Sequence, residues 1–226
     1  MKRAMICSIS VLATFVLLSV PAFAQTQIVL NGSSSNMTFS STGSGNPIAV
    51  CASGCTLTGT ATFEVGGTTV VASQAGYGYT ITFPSGGTAP TLSSSDGISF
   101  TYTPGSGTVT FAYTDSVGDS LTGDLTLSTA TSAGGTTLFI GTLTNVGASG
   151  SAAFMNVFGT GLNDHIDWTL SPVAPPLGNL WANGGTAGGP ISSGEVYPVP
   201  EPVSMLLLGS GLLGLGFLRR KLGSSA

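Results

Sequence analysis

Basic side chains are scarce in this 226-residue chain, and they are unevenly placed. All five Lys and Arg residues lie near the two ends. Between Gln25 and Pro198 there is no Lys or Arg, against eight carboxylates, so this middle part carries a formal charge of −8. Affinity for nucleic acid comes largely from Lys and Arg that neutralise phosphates. The sequence therefore argues against a nucleic-acid partner.

Residues 1–24 have the layout of a secretory signal peptide. Two basic residues open the chain, and an apolar stretch follows them. Ala22 and Ala24 then form the small-x-small pattern that signal peptidase accepts. We expect cleavage after residue 24, so that the mature chain begins at Gln25. An uncleaved N-terminal anchor is the alternative interpretation.

The C-terminus has three parts in a fixed order: Val199-Pro200-Glu201-Pro202, the apolar run Val203–Leu218, and Arg219-Arg220-Lys221. As a helix, the apolar run spans about 24 Å, slightly less than a hydrocarbon core of ~30 Å. The terminal basic side chains can snorkel to the membrane surface. By the positive-inside rule they stay cytoplasmic, which leaves the acidic middle outside the inner membrane.

Taken together, these residues resemble a PEP-CTERM protein-sorting signal. That family is exported by Gram-negative bacteria, typically ones that make exopolysaccharide, and an exosortase is thought to recognise and remove its tail. The resemblance implies that residues 199–222 form a sorting and anchor segment. Val199, Pro200, Glu201 and Pro202 would be the sorting motif, and the helix with its basic end (Arg219, Arg220, Lys221) would hold the chain transiently in the membrane. A plain tail anchor is the alternative.

The exported middle alternates apolar with hydroxylated side chains. Runs of period two occur at residues 79–83, 98–102 and 109–113, which is typical of half-buried antiparallel strands. Roughly ten strand candidates, separated by Gly-rich turns, predict an all-β antiparallel sandwich or jelly-roll-like domain over residues 25–171. No stretch of the middle shows the periodicity of a surface helix.

Residues 172–198 differ in composition from the rest of the middle. Five prolines and six glycines occur there among few apolar residues. This composition predicts a semi-extended stalk that lifts the domain off the membrane. Leu180 and Trp181 are the residues of this segment that can pack back onto the domain.

Cys51 and Cys55 are the only cysteines of the expected mature chain. Outside the cytoplasm a disulfide is the default for such a pair, and Gly54 eases the tight turn. Zinc would need four ligands, and the sole histidine, His165, is distant in sequence. We therefore expect a Cys51–Cys55 disulfide, with a zinc site or a free dithiol as alternatives.

Two polar clusters are candidates for chemistry. Asp115, Asp119 and Asp124 lie within ten residues of each other, and oxygen ligands outside the cell suit Ca²⁺. Solubilising carboxylates around a hairpin are the simpler interpretation of these three residues.

His165 lies in the sequence Asp164-His165-Ile166-Asp167-Trp168, but no serine has the G-x-S-x-G context of a hydrolase nucleophile. On a strand, Trp168 would be a core residue and His165 would lie at a strand edge.

The sequence thus predicts an exported cell-surface or matrix protein without catalytic residues or a cofactor. Its expected partners are signal peptidase, an exosortase-type sorting enzyme and, transiently, the inner membrane. The alternative function is a carbohydrate-binding module associated with exopolysaccharide. Exposed aromatic side chains would serve such binding, and the candidates are Tyr77, Tyr79, Tyr102, Tyr113 and Trp181.

Overall fold

The computed structural model describes residues 26–72, 74–159 and 163–198. Thirteen antiparallel strands and two short helices make up this part of the chain. The strands are β1 (Thr26–Ser33), β2 (Asn36–Ser41), β3 (Ile48–Val50), β4 (Cys55–Val65), β5 (Thr68–Val71), β6 (Gly78–Phe83), β7 (Thr91–Ser94), β8 (Ser99–Thr103), β9 (Val109–Thr114), β10 (Ser120–Ala133), β11 (Thr136–Ser149), β12 (Asp164–Leu170) and β13 (Gly185–Pro198). The helices are α1 (Ala152–Phe158) and α2 (Leu177–Asn183).

The predicted alternation of apolar and hydroxylated side chains is confirmed in the strands. In β6, Tyr79, Ile81 and Phe83 are buried, whereas the threonines between them reach the outer surface. β9 has the same pattern. Ile98 is an exception, because it lies in the turn before β8 and is exposed. The β-rich architecture predicted from period two is therefore correct.

The strands form one antiparallel sheet that closes on itself. Hydrogen-bonded neighbours follow the order β1-β4-β6-β9-β10-β11-β12-β13, and β13 pairs in turn with β1. A second closed circuit runs from β13 through β2, β3, β7 and β8 to β10. The predicted all-β antiparallel class is confirmed by this pairing. The finer prediction of a sandwich or jelly roll stays a prediction, because strands that bend can link the two layers of a sandwich. Here all thirteen strands belong to one sheet.

Two long strands, β10 and β13, join the two circuits. β10, β11 and β13 each have 14 residues. β13 pairs with β2 through residues 185–190 and with β1 through residues 193–196. Likewise, β10 pairs with β9 through residues 120–125 and with β8 through residues 129–131. β10 and β13 therefore each pair with strands of both circuits, whereas β11 pairs with β10 and β12.

Aromatic side chains fill the interior. Phe139 stacks between Phe39 and Trp168, with ring centroids 6.1 Å and 5.5 Å away. At one end, α1 inserts Phe154 and Phe158 against Phe63 of the sheet. These two phenylalanines are four residues apart and share one face of the helix. The expectation of no helix in the middle is therefore wrong for this segment.

The predicted stalk over residues 172–198 is also wrong. Residues 177–183 form α2, and β13 lies between β12 on one side and β1 and β2 on the other. Ile191 and Val196 are buried. The glycines of β13 allow close packing, because a Cβ at Gly194 would lie 2.5 Å from the carbonyl oxygen of Asp167. The β-rich domain therefore extends to Pro198, well beyond its predicted end at residue 171.

Candidate functional site

The C-terminal end of β13 is the point at which the folded body leads into the predicted sorting motif. Val196 pairs with Ile28 on β1 and with Ile166 on β12. Pro198, the last residue of the strand, is opposite Asp164. The motif itself (Val199, Pro200, Glu201, Pro202) and the basic end (Arg219, Arg220, Lys221) lie outside the described residues, as do the signal-peptide positions Ala22, Ala24 and Gln25. In the sequence, the motif therefore begins directly after a strand that pairs with β1 on one side and with β12 on the other.

Asp164 is buried beside this exit. Its side chain is 2 % exposed, and its Oδ2 atom has no hydrogen-bond partner among the described residues. Burial disfavours the charged carboxylate and raises the pKa of Asp164 to about 7. The side chain points inward with Ile166 and Trp168, as strand alternation predicts.

On the opposite face of β12 and β13, four titratable side chains lie close together. His165 is paired with Tyr197, and their ring centroids are 4.8 Å apart. Asp167 is directly opposite Glu195. Burial raises the pKa of both carboxyl groups, and the nearby His165 opposes this rise. Repulsion from the Asp167 carboxylate raises the pKa of Glu195 further.

This outer patch does not assemble a hydrolase triad. Within the described residues, no hydrogen bond joins His165 to a serine or to a carboxylate. His165 also lies on an interior strand, since β12 pairs with both β11 and β13. The predicted position of His165 at a strand edge is therefore wrong, whereas Trp168 is the core residue that the sequence predicts.

Two of the predicted calcium ligands, Asp115 and Asp119, accept hydrogen bonds that stabilise the fold. Asp115 accepts hydrogen bonds from the Tyr113 hydroxyl (3.0 Å) and from the amides of Val117 and Asp119 (each 3.0 Å). Asp119 accepts from the backbone amide and, at 3.0 Å, the hydroxyl of Ser151. These contacts fix the turn between β9 and β10 to the start of α1.

Asp124 is separate from that arrangement. Its carboxylate accepts a hydrogen bond of 2.6 Å from the side-chain amide of Asn145. In the described part of the chain, no group of three or more His, Cys, Asp or Glu side chains is placed to hold a metal ion. The structure therefore does not support a calcium site at these three aspartates.

Ser151 is a structural residue that the sequence interpretation missed. Its side chain accepts a hydrogen bond from the amide of Phe154 and caps α1. A serine before an apolar pair spaced by four residues is a recognisable helix start. This signal was available in the sequence, but the short length of α1 hides its periodicity.

Cys51 and Cys55 form the predicted disulfide, with their Cα atoms 5.4 Å apart. The bridge closes the turn that connects β3 to β4. The Gly54 amide donates a hydrogen bond of 2.7 Å to the Cys51 carbonyl, and Gly54 has φ of +78°. The glycine thus provides the left-handed backbone that this small loop needs.

Most of the aromatic side chains predicted for sugar binding are not available. Tyr79, Tyr102 and Tyr113 are buried. Trp181 is half-buried and lies against Gly45 and Gly97. Tyr77 is exposed. The structure therefore leaves one of the five predicted aromatic side chains, Tyr77, exposed at 44 %.

Residues 198–221 match the family model described as the PEP-CTERM protein-sorting motif. The predicted motif is thereby confirmed, and the match reaches the closed sheet only at the last residue of β13. No curated protein and no solved structure matches the chain. Among the described residues, no helix has the length and apolar character needed to cross a bilayer.

Proposed function

Because the chain carries a PEP-CTERM protein-sorting motif, we propose that it is an exported cell-surface or extracellular-matrix protein sorted by an exosortase-type enzyme. The family match at residues 198–221 is the observation that carries this proposal. The signal-peptide layout of residues 1–24 supports it, because sorting at the outer side of the membrane requires prior export. In this proposal the body is a non-catalytic β-rich domain.

The charge distribution supports a transient anchored state. The apolar run Val203–Leu218 would lie in the inner membrane, with the basic end on the cytoplasmic side. The body, which has no Lys or Arg, would remain on the outer side. The Cys51–Cys55 disulfide suits that oxidising compartment.

The motif is suited to recognition as an extended segment. Proline fixes φ and disfavours helical conformation for the residue before it. Pro200 and Pro202 flank Glu201, so the sequence predicts that this carboxylate would be displayed on extended backbone that a protease-like cleft can bind. The sorting enzyme would meet this segment immediately after Pro198, because β13 ends there.

A non-catalytic body is supported by the way its polar side chains are used. Asp115 and Asp119 are buried and hydrogen-bonded to the backbone or to other side chains. His165 packs on Tyr197 and does not orient a nucleophile among the described residues. These groups hold the fold together, and none of them has the nucleophile–base geometry of a hydrolase.

Binding of a neutral polysaccharide is the second candidate function. One observation favours it: the outer wall of the sheet presents hydroxyl side chains together with the partly exposed Tyr197 and His165 rings. Rings at a surface can stack on sugars. Retention on a neutral polysaccharide that is lost in Tyr197→Ala would support this candidate, and unchanged retention would refute it.

Cell fractionation of motif variants tests the sorting proposal. Glu201→Gln and the double variant Pro200→Ala/Pro202→Ala should accumulate in the inner membrane with the tail still attached. Glu195→Gln is the matched control, because it makes the same chemical change in β13 just upstream of the motif. The control should be sorted like the wild type. Normal surface delivery of the motif variants would overturn the proposal.

A further inference from the structure

Exposed apolar side chains are concentrated at one end of the closed sheet. We call this the exit end, and it is where β4 and β9 end, β10 begins and β13 leaves the body at Pro198. In the described part of the chain, four of the six large apolar side chains that are exposed lie in its turns and hairpins, which marks this end as unlike the rest of the described surface. They are Val65 (39 % exposed), Val70 (53 %), Tyr77 (44 %) and Val117 (64 %).

The β4–β5 hairpin lies beside the point of exit. Val65 is paired with Thr26 on β1, and two residues later Ile28 is paired with Val196 on β13. Neighbouring strands are about 4.8 Å apart, so the tip of β4 and the end of β13 are separated by roughly 10 Å across the sheet. Val65 therefore lies beside the segment that leads to the membrane anchor, and Val70 lies one strand further away, on β5.

Among the described residues, the turns of the exit end carry little exposed charge, and the half-buried His165, Asp167 and Glu195 lie on the side wall formed by β12 and β13. Asp115, Asp119 and Asp164 all belong to this end, but their side chains are buried. Glu64 at the end of β4 is half-exposed. The sequence of α1, which covers the interior here, contains no charged residue. A surface of this kind can approach a lipid headgroup region without stripping water from exposed carboxylates.

The connection to the anchor is too short to hold this end clear of the bilayer. Residues 199–202 alone separate β13 from the apolar run that begins at Val203. Fully extended, the step from Pro198 to Val203 covers at most ~17 Å. A strand of 14 residues such as β13 is itself about 46 Å long. The body must therefore stand close to the membrane while it is anchored.

We propose that, in the anchored state, the exit end lies against the outer surface of the lipid bilayer and places Val70 and Val117 in the headgroup region. This surface rests on the proposed function, because it needs residues 203–218 to hold the chain in the membrane. Apolar tips at the headgroup level strengthen surface attachment in proportion to the apolar area they bury. The bilayer would thereby orient the body with β13 pointing at the membrane.

Site-specific quenching in vesicles tests this orientation. Single cysteines at Val70→Cys and Val117→Cys carry an environment-sensitive dye in the full mature chain, whose own two cysteines are joined in the disulfide. Ile98→Cys is the matched control, since Ile98 is 54 % exposed in the β7–β8 turn at the opposite end. The vesicles are phosphatidylcholine with a fraction of headgroup-spin-labelled lipid.

We expect a blue-shifted emission and loss of fluorescence at positions 70 and 117, and neither effect at position 98. Absence of quenching at 70 and 117 in protein that floats with the vesicles would overturn the orientation but leave the anchor intact. Equal quenching at all three positions would also overturn it. Protein that fails to float would refute the anchored state, and with it both this surface and the proposed sorting route.

Discussion

Replacing Asp164 by Asn should make the free energy of unfolding less dependent on rising pH. Asp164 is buried beside Pro198, and its Oδ2 atom has no partner among the described residues. Ionisation of this carboxyl in the folded state therefore leaves a charge without compensation. The side-chain amide of Asn has a similar shape and never ionises, so Asp164→Asn removes that cost alone.

The size of the effect follows from linkage between protonation and folding. The pKa of Asp164 rises from an ordinary value of 3.8 to about 7 in the folded protein. Between these values the folded state binds more protons than the unfolded state, so stability falls as pH rises. Each tenfold change in acidity corresponds to about 1.4 kcal/mol, which gives roughly 4 kcal/mol as the total loss above pH 7. Well below the ordinary pKa of 3.8 the carboxyl is protonated in both states and the loss disappears.

Urea unfolding of the mature chain in mild detergent, followed by the fluorescence of the buried Trp168, measures this difference. The stability gain of Asp164→Asn over the wild type should grow by up to roughly 4 kcal/mol between pH 4 and pH 8. Glu64→Gln, the same change at a half-exposed carboxylate, is the control and should show no such growth. A gain that is identical at the two pH values would refute the reasoning.

Three further variants test the structural elements. Replacing Cys51 and Cys55 by Ser should lower the free energy of unfolding by about 2 kcal/mol, as expected for a loop this short; an unchanged urea midpoint would contradict it. Phe154→Ala removes the ring that α1 packs against Phe63, and should cost 3–5 kcal/mol by urea unfolding. Asp119→Asn should cost about 1–3 kcal/mol because Ser151 loses a charged acceptor, and a larger loss in Asp124→Asn would argue against this role.

Sequence reasoning predicts the facing of single strands well. The inward side of β6, β9 and β12 follows from alternation of side chains, since this pattern is local. The sorting motif is equally local, because its three parts are contiguous in the sequence. The closure of the sheet cannot be predicted in this way, because it depends on contacts between residues that are distant in the sequence. Pairing of Ile28 with Val196 joins the two ends of the described chain, and no short pattern specifies it.

The misassigned stalk shows why composition is ambiguous. Glycine and proline are typical of linkers, but Gly194 is required in β13 because a side chain there would collide with Asp167 and Trp168 on the next strand. The same residue type serves flexibility in one context and close packing in the other. The calcium interpretation failed for a related reason, since Asp119 is directed at Ser151, a residue 32 positions further along the chain.

The mass of the C-terminal peptide in cells with and without the sorting enzyme tests the central claim most directly. A stiff, proline-flanked Glu201 read just outside the membrane predicts a new C-terminus near Pro200–Pro202 in the enzyme-containing strain. The strain without the enzyme should retain the tail as far as Ala226. A chain that ends at Ala226 in both strains would contradict sorting through this motif.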